Sequence, residues 1–596
     1  MEPAGWVTLA LVGVAAVLLV TERLRPDLTA LLILIVLSLT GIVRPDQAFA
    51  GFSQSAVITI MAIFILTFAL EQTGVTHWVG MRLLRGLGAS ESRLATALML
   101  TAAALSLVMN SIAAAAVLLP SAVAIARHTN RQPSRLLMPL SFGALIGGTA
   151  TLLTTANILV STTLTRASLT PFGLFDFLPT GLLIIAGGAL VTALLGPRLL
   201  PSRDMAGEVA RMRRLQTELA QVYHLGEGLT ALTVLAGSPL AGQTLRDGAW
   251  GQRLGLTVLG IAHQGHVALA PNGDTEIREG DIVLVEGTPT AGMLSDFGLH
   301  PSPVAEGLQP TSEDVRLVEV ILAPRSDFDG RTLKNLHFRE KFGMQVLALW
   351  RQGQVVQPTV ADIPLRFGDA MLMQGSREKV EVLRSDPNLI ILEEEGSRRV
   401  GRKGYLAAAI LALSLGLAAS GVLPIALATL TGAALVILTG CIRMDEAYRA
   451  IEWRTVFLIA CMIPLGVAML DTGAASFLAT TVQSLTGGLG ALATAAVLLL
   501  LTITLSLFLG GQTTAVVVAP VAIEAAALVH ADPRGMAMAV AIGCSLVFLS
   551  PLGHPANLLV MAPGGYRPRD YFRLGLPVTV VTFVLALVGL HWVWGL

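Results

Sequence analysis

The sequence predicts a polytopic α-helical membrane protein. It should contain two inverted repeats, each with a re-entrant hairpin and a broken helix, and two small cytoplasmic α+β domains inserted between the repeats. Three observations predict this. The chain has 596 residues, of which 54% are hydrophobic and only 13% charged, with a mean hydropathy of +0.70. A soluble chain carries roughly 25% charged residues. Second, the apolar sequence repeats at a spacing of 400: Leu105 and Leu505, Pro120 and Pro520, and Asn157 and Asn557 fall on one another. Third, residues 201–400 are richer in charge, are punctuated by Gly and Pro, and carry a repeat of their own at a spacing of 88.

The formal net charge is zero, so no nucleic-acid partner is indicated. Cys441, Cys461 and Cys544 all lie in apolar segments and read as small core residues rather than a disulfide framework. MEPAGW lacks a basic leader, and Glu22, Arg23, Arg25 and Pro26 follow the first apolar run, so that run reads as an uncleaved helix.

A membrane-crossing helix needs about 20 apolar residues. Trp6–Val20, Leu28–Val43 and Val57–Leu70 are candidates. His77–Arg93 alternates apolar and basic residues and reads as interfacial. The run from Leu94 to Ala126 breaks at Met109-Asn110-Ser111. Its two arms of about 16 residues span about 24 Å each, short of a core of about 30 Å, so a re-entrant hairpin is expected. Leu136–Leu164 is interrupted at Thr149–Asn157, and Phe177–Leu195 closes the repeat. The second repeat mirrors this with Leu406–Ala419, Val422–Leu438, a hairpin over Ala493–Val529, a broken helix over Met536–Met561, and Leu576–Trp594.

The expected domains are therefore 1–200, a linker over 201–220, α+β domains over 221–290 and 313–385, and 401–596. In the α+β pair, Gly242 maps to Gly330, Val258 to Val346, Gly280-Asp281 to Gly368-Asp369 and Gly287 to Gly375, with turns at Gln264-Gly265 and Gln352-Gly353.

Positive charge sets orientation. Arg82, Arg85, Arg93, Arg127, Arg131 and Arg135 flank the first hairpin, whereas no Lys or Arg lies between Asp471 and Ala493. The first hairpin then enters from the cytoplasm and the second from outside. Residues 201–400 fall in the cytoplasm, beside Arg198, Arg203, Arg402 and Lys403. The expected location is a cell membrane, the inner membrane of a bacterium.

Broken helices expose backbone groups at membrane depth, where carbonyl ends suit cations and N–H ends suit anions. Asn110, Ser111, Thr149, Thr151, Thr154, Thr155 and Asn157 surround one pair of breaks. Gly510, Gly511, Gln512, Thr513, Thr514, Ser550, His554 and Asn557 surround the other. Their amide and hydroxyl oxygens suit a hard cation such as Na⁺, placed near Asn157 and Asn557. Membrane Ser and Thr also commonly bond their own helix backbone, so the recurring asparagines are the sharper candidates. No carboxylate sits in either break, which argues against a site built on paired acids, and no catalytic residue or nucleophile–base pair emerges.

These residues resemble the divalent anion:sodium symporter family of the ion transporter superfamily. Gly147-Gly148-Thr149-Ala150-Thr151-Leu152-Leu153-Thr154-Thr155-Ala156-Asn157 is similar to its broken-helix motif, one residue shorter. Ser550-Pro551-Leu552-Gly553-His554-Pro555-Ala556-Asn557 looks like the branch with cytoplasmic inserts. The tips, Asn110-Ser111-Ile112 and Gly510-Gly511-Gln512, depart from the family's Ser-Asn-Thr. Gly242-Gln243-Thr244-Leu245, Gly330-Arg331-Thr332-Leu333 and the two Gly-Asp pairs resemble TrkA-C domains.

The resemblance implies a homodimeric secondary transporter in the lipid bilayer, moving a sulfate-like oxyanion or a di- or tricarboxylate. Na⁺ would be the coupling ion, with no other cofactor, and the transport unit would move as an elevator. It also implies a regulatory, nucleotide-type ligand at the TrkA-C pair. An ion channel, a potassium-linked permease and a non-transporting membrane sensor remain the alternative readings.

Overall fold

The computed structural model describes residues 2–21, 23–84, 90–129, 131–203, 229–248, 250, 256–263, 266–269, 275–286, 290–302, 315–323, 326–351, 354–356, 360–384, 386, 388–392 and 401–596. Arg85, Gly287, most of 201–228 and the turns at Gln264-Gly265 and Gln352-Gly353 lie outside the described residues. The chain forms two compact units, Met1–Arg203 with Glu393–Leu596, and Asp204–Leu392.

In the first unit, the helices before the insertion are α1 (Pro3–Thr21), α2 (Pro26–Leu39), α3 (Pro45–Phe49), α4 (Ser55–Gln72), α5 (Val75–Leu84), α6 (Glu91–Ser106), α7 (Ser111–His128), α8 (Leu137–Gly148), α9 (Thr155–Arg166) and α10 (Leu178–Leu199). Proline opens α2 and α3, where its missing N–H costs nothing.

The helices after the insertion repeat this order. They are α14 (Arg402–Ala419), α15 (Ile425–Leu438), α16 (Met444–Ala450), α17 (Trp453–Asp471), α18 (Ala474–Thr486), α19 (Ala491–Leu509), α20 (Gly511–Leu528), α21 (Pro533–Gly543), α22 (Pro555–Met561) and α23 (Pro568–Trp594). Among the described residues, eight helices are long and apolar enough to cross a membrane: α1, α4, α10, α14, α17, α19, α20 and α23.

Two details differ from the sequence expectation. The α6 arm has 16 residues, but α19 and α20 have 19 and 18 and are long enough to cross by length. Arm length therefore marks a short hairpin only in the first repeat. Asn157 is not inside the interruption but on the first turn of α9.

The two repeats meet through their irregular parts. Helix α22 packs on α7 and α8, and α9 packs on α20 and α21. Helix α8 is buried along its whole length. It lies against α6 through Gly143 and Gly147, where an added Cβ would run into the Met99 and Ala103 carbonyls. Small residues are what allow membrane helices to approach so closely.

The second unit holds two five-stranded antiparallel sheets of the same topology. The first comprises β1 (Leu229–Val234), β2 (Thr257–His263), β3 (His266–Leu269), β4 (Ile282–Glu286) and β5 (Leu299–Ser302), ordered β3-β2-β4-β1-β5, with α11 (Ala291–Asp296) preceding β5. The second comprises β6 (Val315–Leu322), β7 (Gln345–Arg351), β8 (Gln354–Val356), β9 (Ala370–Ser376) and β10 (Leu389–Ile391), ordered β8-β7-β9-β6-β10, with α12 (Phe338–Phe342) and α13 (Arg377–Arg384). Each sheet bulges at the same register, between Val258 and Gly260 and between Val346 and Ala348.

The paired glycines have matching backbone. Gly242 and Gly330 have φ of +82° and +83°, and Gly280 and Gly368 have +84° and +87°. Only glycine adopts this conformation freely. The fifth strands, β5 and β10, lie beyond 290 and 385 yet pair with β1 and β6, so each sheet runs further than the stretch marked by the repeat. Asp369 is buried and takes a two-pronged ion pair from Arg351, at 2.8 and 2.6 Å. That hydrogen-bonded partner raises the Arg351 guanidinium above its ordinary range.

Candidate functional site

The first site is built where α6, α7, α8 and α9 end or begin. Asn110 caps α7, its Oδ1 accepting from the Ile112 N–H at 2.9 Å. Ser111 is buried, and its hydroxyl lies 3.1 Å from that of Ser106. After Gly148, the chain leaves helical form for Thr149–Thr154 and re-enters at Thr155. The Thr149 hydroxyl donates to the Ile146 carbonyl at 2.7 Å. The Thr151 hydroxyl accepts from the Leu153 N–H at 3.2 Å.

Carbonyls freed by the break converge on Asn157. Its Nδ2 donates to the Gly148 carbonyl at 3.0 Å, the Thr151 carbonyl at 2.7 Å and the Thr154 hydroxyl at 2.9 Å. The Thr154 hydroxyl in turn donates to the Gly148 carbonyl at 2.7 Å. Carbonyls only accept, so the nitrogen must face them and Oδ1 must point away. That oxygen is fully buried and has no hydrogen-bond partner among the described residues.

The second site repeats the plan. Gly510 joins α19 to α20 with φ +76° and ψ 152°, a conformation essentially confined to glycine. Gly511 lies against the second break, where an added Cβ would come 2.6 Å from the Cys544 carbonyl. Thr514 donates to the Gly510 carbonyl at 3.0 Å, Thr513 is buried, and Gln512 is half-buried. Asn557 donates through Nδ2 to the Val547 carbonyl at 3.0 Å and the Ser550 carbonyl at 3.4 Å. Its Oδ1, however, accepts from the Ser141 hydroxyl on α8 of the other repeat. The backbone carbonyl of Asn557 also takes the Tyr571 hydroxyl at 2.6 Å.

His554 and Ser550 have local duties. His554 caps α22, its Nδ1 accepting from the Ala556 N–H at 3.1 Å, and the Ser550 hydroxyl accepts from Leu552 N–H at 3.2 Å.

The two sites adjoin at Gly148. A Cβ built there would be 3.0 Å from Thr154 Cγ2, 3.3 Å from Ser111 Oγ and 3.8 Å from Ser545 Oγ. The structure therefore brings Ser111 and Thr154 together with Ser545, which sequence reasoning missed. It also missed Ser141 and Tyr571. Ser141 carries a signal in the repeat itself, because its counterpart at the 400 spacing is Ala541. Tyr571 carries none. Among the described residues no group of three His, Cys, Asp or Glu could hold a metal ion.

A family model described as citrate transporter (CitMHS) matches residues 16–543. The chain belongs to that family. Full-length similarity within reach of this CitMHS member includes an uncharacterized transporter of Synechocystis, 32% identical over 590 residues, covering 96% of this chain and 94% of the relative. The uncharacterized transporter YfbS of Escherichia coli is 31% identical over 597 residues, covering 98% of both. Sodium/sulfate cotransporter 1 of Chlamydomonas reinhardtii is 24% identical over 350 residues, covering 56% of this chain and 39% of that protein. The family and the eight apolar helices make this CitMHS protein a multi-pass membrane transport protein.

Proposed function

We propose that the chain is a cation-coupled secondary transporter of a small anion, with a sulfate-like oxyanion as first substrate and a di- or tricarboxylate as second. The observation that carries this reading is the pair of matched breaks, each closed by an asparagine that binds the freed carbonyls. Such half-helix ends supply carbonyl oxygens to a cation and N–H groups to an anion without any charged side chain. Support for sulfate comes from the sodium/sulfate cotransporter among the relatives, and support for a carboxylate from the description of the family.

In this reading the repeats are inverted, Na⁺ is the coupling ion, and hairpins and broken helices move together as an elevator within a homodimer. The two sheets of the second unit act as cytoplasmic TrkA-C-type domains. A small nucleotide-type ligand there would shift the population of transport-competent states.

The test is uptake of radiolabelled sulfate, phosphate, succinate and citrate into proteoliposomes, with and without an inward Na⁺ gradient. One anion should accumulate with Na⁺ in wild type and not in Asn157→Ala. If no anion moves under any gradient, the reading fails, and potassium flux becomes the next measurement.

A further inference from the structure

Three arginines of the membrane unit are held by acids: Arg203 by Asp570, Arg534 by Asp176 and Arg135 by Glu91. Arg166, the last residue of α9, is half-buried and has no ion pair among the described residues. Its Nη1 donates to the Ile463 carbonyl, near the middle of α17, at a long 3.5 Å. A guanidinium carries five N–H donors, so this one bond leaves most of them open.

The guanidinium lies in a cleft. Thr162, Thr163 and Arg166 of α9 line it, with Gly466 and Val467 of α17 and Val516 of α20. Gly466 puts no side chain into this space, and an added Cβ there would come 3.3 Å from the Val516 carbonyl. The two threonine hydroxyls bond back to the Ile158 and Leu159 carbonyls, at 2.8 and 3.0 Å, and can rotate toward an acceptor in the cleft. No carboxylate is among the described residues that line it. Charges taken out of water are ordinarily paired. A carboxylate or sulfate matches the guanidinium fork through two parallel N–H bonds.

The other repeat shows this register in a purely structural role. The residue 400 positions on is Tyr566, fully buried. Its hydroxyl donates to the Ser134 carbonyl at 2.7 Å and accepts from the Met138 N–H at 2.8 Å. That phenol finds its partners inside the protein, whereas the guanidinium of Arg166 faces a cleft without an acid.

We propose that Arg166 is a second oxyanion position, apart from the breaks, that takes the sulfate or carboxylate group of the substrate. It lies about 13 Å along α9 from Asn157. The guanidinium brings its own positive charge, so this position fills without Na⁺. The inference rests on the small-anion reading above.

The experiment is equilibrium binding of ³⁵S-sulfate and ¹⁴C-succinate to the purified full-length protein in Na⁺-free buffer, beside the proteoliposome uptake described above. Wild type should bind one of the two anions. Arg166→Gln should raise the half-saturating concentration by about tenfold or more, and Arg166→Lys, which keeps the charge but not the fork, by a smaller factor. The variants are compared at equal amounts of folded protein, and Arg166→Lys serves alone where Arg166→Gln does not fold. Binding unchanged in both variants would overturn the inference and leave the transport reading standing. So would Na⁺-driven uptake by wild type with no Na⁺-free binding. Displacement of the bound anion by phosphatidylglycerol but not by phosphatidylcholine would give the position to a lipid phosphate and overturn it too. Neither binding nor uptake under any gradient would overturn both.

Discussion

The two membrane repeats share a plan and differ in how polar atoms are satisfied. In the repeat after the insertion, the asparagine amide is used completely: Nδ2 on Val547 and Ser550, Oδ1 on Ser141, and the backbone carbonyl on Tyr571. In the repeat before it, the matching amide leaves its oxygen buried with no hydrogen-bond partner among the described residues. An unsatisfied buried acceptor costs on the order of 1–3 kcal/mol. The difference teaches that a duplicated motif can keep one side-chain contact, the amide nitrogen on its own break, and change another, the partner of the amide oxygen.

Matched substitutions break or sharpen this comparison. The largest effect is expected at the glycines of the broken helices. A Cβ at Gly143 would fall 2.1 Å from the Met99 carbonyl oxygen, whereas one at Gly543 would come 2.9 Å from Thr502 Cβ and Cγ2, a milder overlap that a small helix shift relieves. Gly143→Ala should destabilise by about 3 kcal/mol and Gly543→Ala by about 1 kcal/mol, read as thermal unfolding in detergent.

Next come the amides. Ser141→Ala strands Asn557 Oδ1 and should cost about 2 kcal/mol in the same assay. Ala541→Ser, its mirror image, should be neutral or stabilising by up to about 1 kcal/mol. Equal losses from the two would mean that the repeats are equivalent. Tyr571→Phe removes one bond to the Asn557 carbonyl while keeping the ring packed on Phe142 and Tyr566, and should cost about 1 kcal/mol. Smallest is Arg131→Ala, which breaks a half-exposed pair with Glu91 at 3.5 Å and should change stability by less than about 0.5 kcal/mol.

Much of this was readable in the amino-acid sequence because duplication supplies an internal comparison. The 400 spacing placed Asn157 and Asn557 at equivalent positions, and in the structure both turn an amide toward their own break. The 88 spacing located the matched glycines, Gly242 and Gly330, whose φ values agree within a degree. What was not readable is contact between repeats. Ser141 and Asn557 are 416 residues apart, and no local periodicity says which hydroxyl on a fully apolar helix will face a given amide. Ser545 beside Gly148 is of the same kind. His554 stood among the candidates around the second break, and in the structure its Nδ1 caps α22. Helix ends claim polar side chains that sequence alone would assign to a substrate.

The most direct test of the claim that the two breaks form the transport site is Na⁺-gradient-driven sulfate uptake in proteoliposomes, comparing wild type with Asn157→Ala and Asn557→Ala at equal amounts of folded protein. Uptake by wild type and its loss in both variants is the predicted result. Wild-type uptake in both variants would contradict it.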